Sequence, residues 1–396
     1  MDGLPLTGIR VLELGNYIAG PTAARLLGDF GAEVIKVERP GRGDELRNWR
    51  LHAGSTSILF RTINRNKKSI VLDLRTARGR DIVLELAGHC DILIENFRPG
   101  TLERWGLGPD ALERANPGLV VVRISAFGQT GPLADRPGFA AVAEAMGGLR
   151  HLIGEPDRPP SRVGVSIGDS IAGLYAAFGA LLGLHQRRTG GGRQPVDVAL
   201  HESVFSMMES LVPDYLAHGV ERQRAGGRME GIAPTNAYEC ADGTSVVIAG
   251  NGDAIFRRYM EAIGRPDLGA DPSLRTNSGR WARRDELDDV ISAWTRARTR
   301  DEVLKVLDDA GVPAGPIYTA ADIAHDPQYA ARDMIQELPV DGRPVGFPGI
   351  VPVLGEKSLP VRSLGPDLGT HTREVLAGVL GKSDAEIDAM LAEMEE

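Results

Sequence analysis

The sequence predicts an α/β protein, with a doubly wound, largely parallel sheet in its first half and a smaller α+β unit after it. Three observations carry this. Short β-branched runs alternate with helical stretches through the first 125 residues. The runs are almost continuously apolar, as in parallel strands covered on both faces. Beyond residue 218 the order changes to a strand pair followed by helices, the pattern of an α+β unit.

The runs lie at 9–14, 33–38, 70–74, 91–95 and 119–125, each bounded by turn residues. Helical patterns at 21–30 and 77–88 separate them. A helical stretch at 201–216 closes the large domain, assigned to 1–218. The Arg- and Gly-rich segment 219–231 reads as a linker. Strands at 235–239 and 244–249 flank an Asp242-Gly243 turn, a hairpin signal. Helices at 254–263, 284–297 and 300–310 complete a unit that, with the linker, spans 219–330. The remainder, 331–396, holds Phe347-Pro348-Gly349 and a charged helix from Asp384. It is expected to pack back on the large domain.

Composition excludes several classes. The 396 residues are 42% hydrophobic and 25% charged with a net charge of −9, which is a folded globular chain and not a nucleic-acid binder. Cys90 and Cys240 suit neither a disulfide framework nor metal spacing. The start, Met1-Asp2-Gly3-Leu4, has no signal-peptide character. The longest apolar stretch, 171–184, carries three glycines and falls short of the roughly 20 residues a bilayer requires. The expectation is a cytoplasmic protein with no membrane or nucleic-acid partner, an organelle matrix remaining open.

The turn Gly15-Asn16-Tyr17-Ile18-Ala19-Gly20-Pro21 lacks the G-x-G-x-x-G spacing of a dinucleotide site. It still lies at the C-terminal end of a parallel strand, where α/β sheets bind ligands. Gly28-Asp29-Phe30-Gly31 reads as a helix end. Asn64-Arg65-Asn66-Lys67-Lys68-Ser69 reads as a solvated loop or as a cluster that meets phosphates or a carboxylate. Arg39, Arg98 and Arg104 follow strand ends; each alone is a surface arginine, several together make an anion site. Asp169 precedes a helix of small and apolar residues. Its ordinary reading is an N-cap. A helix N-terminus also keeps a carboxylate ionised, as a carboxylate nucleophile must be. Gly250-Asn251-Gly252 follows a strand and is a plain turn or a mobile cover. The eight histidines show no metal pairing.

Several of these stretches together resemble family III CoA-transferases. They are Leu4-Pro5-Leu6-Thr7-Gly8-Ile9-Arg10-Val11-Leu12-Glu13-Leu14, Ala19-Gly20-Pro21, Gly31-Ala32-Glu33-Val34-Ile35-Lys36-Val37-Glu38, Asn66-Lys67-Lys68-Ser69-Ile70, Glu95-Asn96-Phe97-Arg98-Pro99-Gly100, Gly128-Gln129-Thr130-Gly131-Pro132 and Gly369-Thr370-His371-Thr372. The likeness runs in order from about residue 4 to 380. The resemblance implies an interlocked homodimer, each chain with a Rossmann-like large domain and a smaller one. It implies a nucleophilic aspartate at Asp169 and CoA contacts at Asn16, Tyr17, Ile18, Arg39, Leu72, Leu74, Asn96, Phe97, Arg98 and Arg104. The glycine loop over the intermediate falls at Gly250 and Gly252. A CoA thioester is substrate, a carboxylic acid the acceptor, and neither a prosthetic group nor a metal is implied. The branch it most resembles uses succinyl-CoA and dicarboxylates, and Arg47 or Arg65 is a candidate for the distal carboxylate. The same fold hosts α-methylacyl-CoA racemases, whose histidine would stand at Phe139. Phenylalanine cannot move a proton, which favours transfer. Racemase, thioester-binding protein and acyl-CoA hydrolase stay as alternatives.

Overall fold

A computed structural model describes residues 3–191 and 195–395. The chain divides into two compact units. One comprises Met1–Leu149, Gly164–Glu209 and Asp326–Glu396; the other comprises Arg150–Val163 and Ser210–His325. The second unit thus begins at Ser210, earlier than the sequence pattern suggested, and also takes in the Arg150–Val163 excursion.

The large unit is built on β1 (Arg10–Glu13), α1 (Ala19–Asp29), β2 (Glu33–Glu38), β3 (Lys67–Val71), α2 (Ala77–Ala87), β4 (Ile92–Glu95), β5 (Val120–Ser125), α3 (Ile167–Arg188) and β6 (Val196–Ala199). The sheet order is β3-β2-β1-β4-β5-β6 and every neighbouring pair is parallel. Successive strand residues point to opposite faces, and here both faces are apolar. Val11, Val34, Ile92, Ile94, Val122 and Ile124 join α1 and α3 in one core. Leu12, Ile35, Ile70 and Leu93 join α2 and the C-terminal residues Val375, Leu376, Ile387 and Met390 in the other. Each such side chain, fully buried, stabilises the fold by roughly 1.5–3 kcal/mol.

Helix α3 lies against α1 and the sheet because its contact face is made of small residues. A Cβ on Gly173 would lie 2.9 Å from both Ala19 O and Thr22 Cβ, and one on Gly179 2.4 Å from Val196 Cγ1. The opposite face exposes Leu174, Phe178, Leu181 and Leu182. At 22 residues, α3 is long and apolar enough to cross a bilayer by length and composition alone. That corrects the sequence expectation that no stretch qualified. Its eight buried residues, all glycine, alanine or leucine, make it a core helix of the large unit.

Some elements differ from their sequence patterns. β3 starts at Lys67, three residues before the expected run, and ends at Val71. Two lysines at its start hid it, because a charged residue in a parallel strand needs a buried partner to be tolerated. β6 went unpredicted. The helix expected at 201–216 is two, Leu200–Phe205 and Leu211–His218. A hairpin, Ile335–Val340 with Arg343–Pro348, was also missed.

The smaller unit carries a three-stranded antiparallel sheet ordered Ala314–Pro316, Ser245–Ala249, Thr235–Glu239. Helices Asp253–Ala262, Arg284–Arg296 and Arg300–Asp309 cover it through Phe256, Met260, Leu287, Ile291, Val303 and Leu307.

Candidate active site

Four strands end on one concavity. The loops after β1, β2, β3 and β4 line a pocket of about 500 Å³ with Leu14 and Asn16, Arg39 and Arg42, Leu72 to Arg75, and Phe97 and Trp105. This is the carboxyl edge of the parallel strands, where doubly wound sheets bind ligands. Of the residues expected to meet CoA, Asn16, Arg39, Leu72, Leu74 and Phe97 line it directly. Phe97 and Trp105 meet edge to face at 5.2 Å. Arg98 and Arg104, beside them in sequence, are exposed, and Arg104 Nη2 donates to Thr101 Oγ1 at 2.9 Å.

Asn16 and Asn96 lock the ends of β1 and β4 together. The Asn16 amide donates to Asn96 Oδ1 at 2.8 Å, and Asn96 Nδ2 donates to Asn16 O at 2.7 Å. Between them β1 passes into α1 through a tight turn in which Tyr17 adopts φ 63°. Ile18 is buried against Leu46 and Phe60. The Tyr17 ring packs on Trp49 at 5.6 Å and on Phe139 at 5.8 Å. Burial first, then the carboxylates of Glu45 and Asp44, push the Tyr17 hydroxyl above its ordinary pKa. It is therefore a neutral hydrogen-bonding group at pH 7.

Arg39 is exposed at the rim, donating to Gly43 O at 3.1 Å and pairing with Glu45. Sequence reasoning missed Arg42, Asp73, Arg75 and Trp105 as pocket walls. The signal was available in part: Arg42 lies just past the expected strand 33–38, whereas Asp73 fell inside the expected run 70–74, which in fact ends at Val71. Asp73 and Arg75 form a close pair, Nη2 to Oδ2 2.6 Å. The Arg75 guanidinium holds the Asp73 carboxyl below its usual range.

Arg47 and Arg65, expected as candidates for a substrate carboxylate, do not reach one. Arg47 is buried, with Nε and Nη2 each 2.7 Å from the Glu38 carboxylate and its guanidinium 3.8 Å from the Phe60 ring centre. Arg65, 1% exposed, holds Asp29 through Nε at 2.9 Å and Nη2 at 2.7 Å and also caps Pro348 O. Both forks are occupied by the protein's own carboxylates. The surrounding segment 64–69 is likewise no solvated loop, and the carboxylates its cluster meets are the protein's own, Asp29 and Glu13. Asn64, Arg65, Asn66, Lys67 and Ser69 are buried, and Asn66 Nδ2 donates to Asp29 at 2.7 Å.

Asp169 is half-buried and stands in the first turn of α3, which begins two residues earlier at Ile167. It is thus inside the helix rather than its N-cap; Ser166 takes that place. The correction leaves the electrostatic argument intact, because the dipole acts throughout the first turn. One turn later, at Gly173, α3 touches Ala19 and Thr22 in the first turn of α1. Phe139, on the Tyr17 ring, precedes helix Ala140–Met146. That helix packs on the start of α3: a Cβ on Gly168 would lie 3.5 Å from Ala140 Cβ and 3.2 Å from Glu144 Cγ. Tyr17, Phe139 and Asp169 are thereby carried by three helix starts packed on one another.

Gly250 and Gly252 lie in the smaller unit, after strand Ser245–Ala249. Arg280 Nη2 donates to Asn251 O at 2.6 Å and a Cβ on Gly250 would strike Tyr259 at 2.5 Å. Packing alone accounts for that glycine. Among the described residues no group of His, Cys, Asp and Glu is arranged to hold a metal.

Comparison with known proteins gives one picture. Residues 6–372 match the family described as CoA-transferase family III. Over 98% of this chain and 96% of its own length, a succinyl-CoA–D-citramalate CoA-transferase of Chloroflexus aurantiacus is 47% identical. The mouse succinyl-CoA:glutarate CoA-transferase is 37% identical over 98% of this chain and 89% of its own. A crystal structure of a CAIB/BAIF family protein from Brucella suis superposes with a TM-score of 0.83 at 36% identity, covering 96% of this chain and all of that one.

Proposed function

This chain belongs to CoA-transferase family III, and from that premise we propose that Asp169 carries the acyl group while CoA moves from a succinyl-CoA-type donor to a small dicarboxylate. The relatives that match along the whole chain are named for such reactions. The observation that bears most on the mechanism is the half-buried carboxylate in the first turn of α3, one turn before Gly173 packs on Ala19 and Thr22 of α1.

The chemistry balances without ATP. The Asp169 carboxylate attacks the thioester carbonyl, the C–S bond breaks, and CoA leaves as thiolate with a mixed anhydride behind it. The thiolate then attacks the aspartyl carbonyl, releasing the donor acid and forming an aspartyl-CoA thioester. The acceptor carboxylate attacks that thioester, expelling thiolate and forming a second anhydride. The thiolate takes the new acyl group and Asp169 is restored. One thioester replaces another. Water must be kept away, since anhydride hydrolysis would discard the thioester.

Asn16, Leu72, Leu74 and Phe97 supply walls for the CoA moiety, and Arg39, Arg98 and Arg104 supply charge for its phosphates. Asn96 and Ile18 shape the turn from behind. The exposed row Leu174, Phe178, Leu181 and Leu182 on α3 supports a homodimer, checked by sedimentation at twice the chain mass.

The test is a panel of dicarboxylic acids offered with succinyl-CoA and read by mass spectrometry. Asp169→Ala is expected to lose at least about 10⁴-fold in turnover, as nucleophile deletions do. Undiminished transfer by that variant would sink the mechanism. Free CoA without an acceptor would indicate a hydrolase, and α-deuterium exchange in a 2-methylacyl-CoA a racemase.

A further inference from the structure

We infer that Lys36 and Asp44 are positioning residues for the CoA thioester: buried charges that hold the β1–α1 turn in its receiving shape before the ligand arrives. The inference deepens the transferase reading and rests on it.

The turn is pinned from beneath at three points. Lys36 Nζ donates to Gly15 O at 2.7 Å and to Glu13 Oε1 at 2.8 Å. Asp44 Oδ1 accepts from the Tyr17 amide at 3.1 Å and from the Leu46 amide at 3.0 Å. Lys67 Nζ donates to Pro21 O at 2.8 Å and to Glu13 Oε2 at 2.7 Å. Lys36 and Asp44 approach to 2.8 Å; the contact is ionic, since Asp44 Oδ2 has no aligned hydrogen bond. Glu13, Lys36, Asp44 and Lys67 are all buried.

Stability alone is a poor reason for such a cluster, because well-packed apolar residues usually stabilise as much as a buried ionic group. What apolar side chains cannot do is hold a defined carbonyl and a defined amide at set positions. Tyr17 needs that help. Its φ of 63° is a conformation that residues other than glycine adopt only under constraint. The strained residue carries the ring that packs on Phe139 and directly follows Asn16, which lines the pocket. Burial pulls the Lys36 ammonium down, but Asp44, Glu13 and Glu38 outweigh it and keep it charged.

The test compares CoA affinity by calorimetry, kcat, KM and Tm for Asp44→Ala, Lys36→Met and Arg65→Ala. The first two are expected to bind CoA about 10-fold more weakly, raising KM while saturated kcat stays within about 3-fold, as loss of preorganisation does. Arg65→Ala breaks an equally buried pair that does not touch the turn. It should lower Tm and leave CoA affinity within about 3-fold, since it leaves the preorganised turn intact. Folded Asp44→Ala and Lys36→Met with parental affinity would overturn the inference. Should neither fold, amide exchange in the ligand-free parent decides. A protected Tyr17 amide supports a preformed turn; free exchange that stops only when CoA is added refutes it. A parent that binds no CoA would instead remove the transferase reading.

Discussion

Residues 64–69 and the loops after β2, β3 and β4 are both rich in basic side chains, yet they answer to different partners. In the first, Arg65 and Lys67 are buried, bound to Asp29 and Glu13. In the second, Arg39, Arg42, Arg75, Arg98 and Arg104 are exposed around a pocket or beside its walls. The difference is desolvation. A guanidinium already stripped of water and held bidentately by a carboxylate cannot be recruited by a ligand without leaving that carboxylate uncompensated. An exposed guanidinium can exchange water or a loosely held partner for phosphate.

A crossed pair of substitutions tests this most sharply. Arg65→Ala removes the buried fork from Asp29, which keeps Arg25 and Asn66, and is expected to destabilise the protein by about 1.5–3 kcal/mol, read as a fall in denaturation midpoint. Its KM for the CoA thioester should stay unchanged in the folded fraction. Arg98→Ala should do the reverse, with an unchanged midpoint and KM raised about 10-fold, the loss of one charge-assisted contact. If the two variants exchanged effects, the contrast between the regions would collapse.

The smaller expected effect is on pH dependence. Burial pushes the Glu38 carboxyl up, but Arg47 and Lys36 overcome it and hold it below the usual glutamate range. A folded-state pKa below the unfolded one means the stabilisation is present above the unfolded value and is lost as pH falls through the folded one. Denaturation midpoints should therefore hold from pH 7 down to roughly pH 4.5 and decline below it. Glu38→Gln should flatten that decline. Asp73, buried but held low by the exposed Arg75, should contribute less because solvent screens the arginine.

Much of the site was legible in the chain because it sits where strands end. Apolar runs mark strands, and a parallel sheet places their carboxyl ends together, so Asn16, Arg39, Leu74 and Phe97 fell on one pocket. The arginines were the failure. Nothing local distinguishes Arg47 from Arg39, eight residues away, although one is buried on Glu38 and the other faces solvent. The N-cap reading of Asp169 missed its place within the helix, because Ser166, Ile167 and Gly168 give a weak start signal.

By itself the sequence determined the alternation of strands and helices, the turns at strand ends and the family motifs. All of these depend on neighbours within a few positions. Tertiary structure alone decided which charges are buried together, which cations remain open to a ligand and how closely α3 approaches α1. Arg65 meets Asp29 across 36 positions and Lys67 meets Glu13 across 54. Whether a charged side chain is structural or available depends on the partner that folding brings to it, and short-range periodicity holds no record of that partner.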